Sequence, residues 1–563
     1  MKHSNPWLAL VAASALAFPV AVNAAMIAGE VKCEGKAVRG ALVTLYSSDQ
    51  LVSDTVLTDA SGHYRLSTRL SGALTLRARA PLDADEVVKL KVPAGGSRLA
   101  HSFSLLRLTT PQQISDSLPA SVHFTRIQFP TPTARIQFQL DCTGCHQIGN
   151  PITRRPRSIE EWTAFMRIMT ANAEYSTDIH VADYAAVMNH AFDGTPVPAP
   201  AAERLVVDTE ALNARITEWK LPGAIVAHDT DFYPPTGSFY TVEQNIDQVY
   251  VTDPKTDKTE VVPLAALGVP LHGTFAGQEN LPSWIPPVSH GNHSLQLGPD
   301  GKFYFTGSIG GEIGVFNPVT HGYQVYRIGG TAMYPHTLRF DSKGIVWFTL
   351  YVSNQIGRFD PKTGKSTIIE LPATMAHKDE RIPAPYGIDI NPLDGSVWYT
   401  TLYGNMIGRI DPETFKVQEW EPPVFGPRRA RFDKQGGFWI PGFGDGKITR
   451  LDTRSMKYET YTIPTLTDGA VESPYALAVD PKTQDVWVSA NMSDRIFRFV
   501  PTTKKWTAYP LPTRGMFFRD VVITPDGRIC AASDPWGVPL PNIVEGDMNS
   551  VVCLQPEGHK QGT

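Results

Sequence analysis

From about Leu205 onward the chain repeats one hydrophobic and polar pattern. An apolar run leads into an Asp/Gly turn, then an aromatic run, a second turn and a half-polar run. Successive copies read PHTLRFDSKGIVWFTLYVSNQIGRFDPKTGKSTIIELP, PYGIDINPLDGSVWYTTLYGNMIGRIDPETFKVQEWEPP and PRRARFDKQGGFWIPGFGDGKITRLDTRSMKYETYTIP. Each copy predicts four short strands, A to D. One such sheet cannot cover its own faces, whereas radially packed copies do, so residues 205–563 are expected to form a β-propeller. A strands begin near Val226, Gly291, Pro335, Pro385, Pro427, Pro474 and Phe517, giving seven blades. The last copy stops after its C strand, SVVCLQP, and an orphan D strand, ITEWKLP (Ile216 to Pro222), precedes the first blade. That strand is expected to close the seventh blade and join the chain ends. Cys530 on strand B then lies opposite Cys553 on strand C, which predicts a cross-strand disulfide, the alternative being two buried thiols.

The pattern differs upstream. Lys2 and His3, the apolar run WLALVAASALAFPVAV and Val22-Asn23-Ala24 read as an export signal over residues 1–24, cleaved near Ala24, with a periplasmic destination. No other run approaches the roughly 18 apolar residues that span a bilayer. Residues 25–108 alternate apolar and polar positions (Ala41, Val43, Leu45) around a turn at Asp59 to Gly62, which suggests a small antiparallel sandwich. The order G-x-V, G-A-x-V-x-L, T-D-x-x-G-x-Y-x-L resembles the carboxypeptidase regulatory-like domain, and that resemblance implies a structural or docking module. Residues 111–200 change to helical spacing. SIEEWTAFMRIMTANA places Trp162, Phe165, Met166 and Met169 at helical intervals behind a Ser158/Glu161 capping box, and DIHVADYAAVMNHAF is a second helix. The proline-rich GTPVPAPAAER is a linker. The fold class expected is mainly β, with a seven-bladed propeller, an N-terminal β-sandwich and a small α-helical domain.

Composition alters this picture little. Net charge is −5, which offers no polycation for nucleic acid, and 46 prolines with 45 glycines suit short strands and turns. The cysteine count matters more. There are five, Cys33, Cys142, Cys145, Cys530 and Cys553, and two of them stand in Cys142-Thr-Gly-Cys145-His146. Two thiols three apart add to the two vinyl groups of haem, and the adjacent histidine becomes an axial iron ligand. Residues 111–200 are therefore expected to be a cytochrome c domain carrying covalent haem c. No second CxxC is present to complete a zinc ribbon. EEWTAFMRIM resembles the W-x(6)-M helix that follows CxxCH in small bacterial cytochrome c domains, which implies Met169 as sixth ligand. Met166, Met188, His180 and His190 compete. Cys33 is left as an unpaired, packed thiol.

Aligned on their shared turn, the seven A strands supply one equivalent residue each: His228, His293, His336, Tyr386, Arg428, Tyr475 and Arg519. Because A strands line a propeller's channel, these residues are expected to ring one end of it. Three imidazoles from consecutive blades (His228, His293, His336) suit Cu, Fe, Zn or Mn. Arg428 and Arg519 with Tyr386 and Tyr475 suit an anionic or oxygen-rich small-molecule substrate. The alternative is a ring of hydrogen-bonded polar residues around channel water. His290, in SHGNH, is read as an outer or loop residue.

The units W-F-T, N-x-I-G-R-F/I-D-P-x-T and P-H/Y-G-I resemble the virginiamycin B (streptogramin) lyase propeller family over the whole third segment. That resemblance implies a base at His336, in Pro335-His336-Thr337-Leu338, beside Mg²⁺-binding acidic residues. The positions of those acids hold Leu350, Thr401 and Gly307, and Tyr334 stands two before His336. The function expected is a periplasmic haem c oxidoreductase, with substrate at the propeller mouth and electrons passed through the haem to a soluble carrier. The alternatives are a lyase with His336 as base, and a non-catalytic electron-transfer or binding protein.

Overall fold

The computed structural model describes residues 24–172, 181–264, 273–275, 289–372, 382–535 and 549–557. The segment before residue 24, expected from the sequence to be an export signal, and His180 lie outside the described residues. The repeat region is mainly β, built from separate four-stranded antiparallel sheets in which chain order is spatial order. Six such sheets begin with Ala227–Tyr233, Asn292–Leu297, Pro335–Phe340, Pro385–Ile390, Arg431–Phe432 and Pro474–Val479. Second strands such as Val346–Leu350 are buried along their length, because neighbouring sheets cover both faces. Fourth strands such as Lys365–Glu370 alternate with solvent. In two sheets the turn Asp also serves its own sheet: Asp341 accepts from the Trp347 indole at 3.0 Å, and Asp433 from that of Trp439 at 3.1 Å. First strands of successive sheets abut one another, and Ala227–Tyr233 also abuts Ile529–Ser533, so the array turns back on itself.

The remaining repeat strands lie in an eight-stranded sheet. Val522–Ile523, Ile529–Ser533, Ser550–Gln555 and Arg215–Lys220 are successive in it, and the orphan strand takes the expected place beside the last copy. Cys530 and Cys553 are register partners joined by a disulfide. The same sheet then continues through Val52–Leu57, Leu42–Tyr46, Gly72–Arg79 and Glu86–Val92. Arg215–Lys220 thus pairs on one side with the end of the chain and on the other with its beginning.

This corrects the expectation of a small, wholly antiparallel sandwich. Its second sheet is shared with the repeats, because Arg215–Lys220 offers an open edge that Val52–Leu57 fills. Its first sheet is mixed. Ala25–Cys33 pairs antiparallel with His63–Thr68 but parallel with Arg98–Ala100 and Phe103–Leu105, since the chain crosses between sheets after Glu86–Val92. Cys33 is buried there, its Sγ donating to Asp83 Oδ1 at 3.3 Å.

Among the described residues five α-helices follow: α1 (Pro111–Ser117), α2 (Ala120–Phe124), α3 (Pro132–Cys142), α4 (Ile159–Asn172) and α5 (Val181–Ala191). The capping box forms, with Glu161 N–H donating to Ser158 Oγ at 3.2 Å and Ser158 N–H to Glu161 Oε2 at 2.7 Å. Phe138, Trp162, Met166, Tyr184 and Met188 make a core that also takes in Val471 and Met492 of the repeats. The helical unit is therefore packed on the sheets rather than tethered beside them.

Candidate functional site

The seven residues aligned from the sequence come together. In five sheets the first strand carries a register shift across the aligned position, between Ala227 and Thr230, Asn292 and Leu295, Pro335 and Leu338, Pro385 and Ile388, and Pro474 and Ala476. Such a bulge re-aims a side chain and kinks its strand. Around the ring, the imidazoles of His228 and His293 lie 3.6 Å apart between centroids, and those of His293 and His336 4.1 Å apart. His336 lies 4.1 Å from the Tyr386 ring. The Tyr386 and Tyr475 hydroxyls share a hydrogen bond. Arg428 lies over the rings of Phe443 (3.8 Å), Tyr475 (4.2 Å) and Tyr386 (4.8 Å) and donates to the Tyr386 hydroxyl at 3.1 Å. Arg519 reaches the Tyr475 hydroxyl at 3.5 Å and pairs with Asp534 at 2.9 Å.

Beneath the ring lies a charged layer that the alignment did not single out. His228 Nδ1 meets Asp229 Oδ1 at 2.9 Å, and Asp229 accepts two bonds from Arg429 Nη1 at 2.7 and 2.8 Å. Arg429 also reaches Asp520 at 3.1 Å, and Arg339 and Arg431 close on the same carboxylate. Burial alone pushes Asp229 up, but Arg429 and His228 outweigh it and hold the carboxyl well below its usual range. Burial brings His228 down to about 4, and burial with the neighbouring imidazoles takes His293 well below its ordinary value. At neutral pH the ring therefore sets neutral imidazoles opposite two guanidinium cations. Asp229, Arg429 and Asp520 each directly follow an aligned residue in the chain. At a bulge consecutive side chains can serve the same channel, so that adjacency was the available signal.

The CxxCH loop lies on this ring. Leu140, Asp141, Gly144 and Cys145 line one cavity with His228, His293, Tyr386, Arg428, Tyr475 and Arg519; it encloses about 50 Å³. α3 carries the loop into place. Buried Gln139 donates from Nε2 to the carbonyls of Phe443 and Glu472 and to Ser473 Oγ, at 2.9–3.0 Å. Gln147 donates to Asp494 Oδ1 at 2.8 Å and the Met516 carbonyl at 2.9 Å. Leu140 seats against Gly426, whose added Cβ would stand 2.2 Å from Leu140 Cδ2. Gly144 also approaches the ring closely, since a Cβ there would stand 2.9 Å from Arg428 Nη2.

The donor set of the loop fits a haem. Cys142 ends α3 and Cys145 is exposed, so the two sulfurs flank the loop. His146 Nδ1 lies 3.3 Å from the Gln147 carbonyl, and donating there would leave Nε2 available to ligate an iron. Met169 lies on α4 and is half-buried, Met166 and Met188 are core, and His190 is exposed. The three ring histidines fit a metal less well. Their rings overlap at 3.6 and 4.1 Å, and among the described residues no group of three His, Cys, Asp or Glu side chains is placed to hold an ion. His290 is fully buried and bonded to Glu312.

Comparison with known proteins agrees with the repeat reading. The virginiamycin B lyase family matches residues 283–431, which marks a virginiamycin B lyase-like β-propeller. Solved structures similar to this chain include virginiamycin B lyase from Staphylococcus aureus, 19% identical over 61% of this chain and 99% of that one, with a TM-score of 0.47. A streptogramin B lyase is 18% identical over 62% of this chain and 100% of its own, with a TM-score of 0.48. U3-55K is 9% identical over 60% and 98%, with a TM-score of 0.44. No curated protein matches the chain.

Proposed function

We propose that this protein is an exported, periplasmic haem c oxidoreductase, in which a seven-bladed propeller presents a small-molecule substrate to a haem held by residues 111–200. The observation that carries the reading is the seating of Gly144 and Cys145 on the ring of His228, His293, Tyr386, Arg428, Tyr475 and Arg519. A carrier domain tethered for another purpose has no need of the buried Gln139 and Gln147 anchors. Cys142, Cys145 and His146 would hold the haem, with Met169 as sixth ligand, and a haem there supplies one-electron transfer to a soluble carrier. The chain's own groups supply the rest. Arg428 and Arg519 attract and orient an anionic or oxygen-rich substrate. His228 Nε2 accepts a proton, with Asp229 fixing the tautomer and Arg429 keeping Asp229 ionised.

A second reading, a lyase with His336 as base, is favoured by the family match. His336 is buried in the ring, but its Nδ1 is engaged by Thr337 Oγ1 at 2.9 Å and the Tyr386 carbonyl at 3.2 Å. Leu350, Thr401 and Gly307 offer no carboxylate for a Mg²⁺ ion.

Two measurements on the purified protein decide between them. Haemochrome and metal analysis is expected to give one covalent haem per chain, lost in the Cys142→Ala/Cys145→Ala variant. Anaerobic addition of substrate is expected to reduce the haem. Substrate turnover that persists unchanged without the haem would favour the lyase.

A further inference from the structure

We infer that the cavity between the CxxCH loop and the ring is a binding site for a small oxyanion of about three or four non-hydrogen atoms. This rests on the ring being the substrate site, as proposed above, and it names the class of molecule. Size comes first. A space of about 50 Å³ exceeds what one water needs and holds roughly three to five water-sized spheres. A streptogramin-sized molecule has no room there while Leu140 and Gly144 are seated.

Chemistry comes second. Three buried atoms of cavity-lining side chains have no hydrogen-bond partner among the described residues: His228 Nε2, His293 Nδ1 and Arg428 Nε. Buried polar atoms are rarely left unpaired, and three around one cavity mark a missing polar guest. The Arg428 donor is fixed by chemistry, and Arg519 adds a second guanidinium; with Asp534 paired to Arg519, the two arginines keep one net positive charge. His228 gives its Nδ1 proton to Asp229, so its Nε2 is an acceptor. The guest must then offer negative oxygens to the arginine side and a hydroxyl, or a water bound to it, to the histidine side. Hydrogensulfite, nitrite and hydrogencarbonate belong to this class, and halides and neutral organic molecules do not.

The experiment is calorimetric titration of sodium sulfite, and separately sodium nitrite, into the oxidised holoprotein at neutral pH, with the haem spectrum recorded alongside. At least one is expected to bind one-to-one with a Kd below about 1 mM, weakened about tenfold or more in Arg428→Gln and in Arg519→Gln. Citrate, also an oxyanion but too large, is expected not to compete. Failure of both ions to bind the native protein at about ten times that concentration overturns the inference, and so does binding that citrate displaces or that neither variant weakens. Haem reduction is read separately. Binding without reduction keeps the oxyanion site and removes the redox role for that ion, whereas reduction by a larger donor with no small-ion binding overturns the site alone.

Discussion

His123, on α2, shows how a single buried side chain couples this fold to pH. Its Nε2 lies 2.9 Å from the Ser115 carbonyl and 2.8 Å from Arg154 Nη1. Burial, and then the Arg154 charge, take its pKa down from 6.5 to about 3. In the unfolded chain the imidazole protonates below its ordinary pKa, while the folded one stays neutral. Stability from this group is therefore full above about pH 6.5 and falls by about 1.4 kcal/mol per pH unit as the pH drops toward about 3. His123→Gln keeps a polar side chain that does not titrate. It is expected to lower stability at neutral pH but to flatten the loss between about pH 6 and about pH 4 in denaturant melts. A variant whose acid slope equals that of the native protein would show that His123 is not the buried neutral group described.

At the scale of elements, the seating of α3 on the sheets is the contact that turns two domains into one site. Gln139 is buried and its amide satisfies two carbonyls and a hydroxyl. Gln139→Leu keeps the volume but strands those acceptors, so it is expected to cost about 2–3 kcal/mol in urea melts. It is also expected to raise the solvent accessibility of Arg428 and of the edge of the proposed haem, read as faster haem reduction by dithionite. Equal rates would mean that the loop is held elsewhere. The same elements show what the sequence made legible. The repeat period placed each A strand, and the CxxCH spacing singled out the loop proposed to hold a haem, because both patterns are local. The docking of one on the other was not legible, since it depends on Gln139, Leu140 and Gly144 meeting Phe443, Gly426 and Arg428 some 280 to 310 positions away. Likewise the seven ring positions were visible as chemistry, yet the Asp229–Arg429–Asp520 layer forms between residues of three different copies, which no local pattern marks. The histidines read as a metal triad because their side-chain type and blade spacing allowed it, and only the overlap of their rings argues otherwise.

For the whole molecule the decisive feature is the eight-stranded sheet, in which Arg215–Lys220 joins the N-terminal strands to the C-terminal ones. A propeller closed by such a strand ordinarily ends at that edge, but here the edge is covered by Val52–Leu57, so the two bodies share one hydrogen-bonded sheet. The disulfide between Cys530 and Cys553 locks the next strands of that sheet and closes a loop of 23 residues, a constraint worth about 3 kcal/mol. On the other side the seam is pinned by Asp54, which accepts from Arg215 Nε at 3.0 Å and Thr217 Oγ1 at 2.8 Å. Cooperative unfolding follows from this continuity: residues 25–108 and the repeats are expected to melt in one calorimetric transition. Asp54→Ala leaves Arg215 short of its carboxylate partner at a half-buried position, with an expected cost of about 2–3 kcal/mol. If the seam carries the coupling, that variant melts in two transitions, the first belonging to the N-terminal strands, while the Cys530→Ala/Cys553→Ala variant still melts in one at a lower temperature. Two well-separated transitions in the native protein would mean that the shared sheet joins the domains in space without joining their stability.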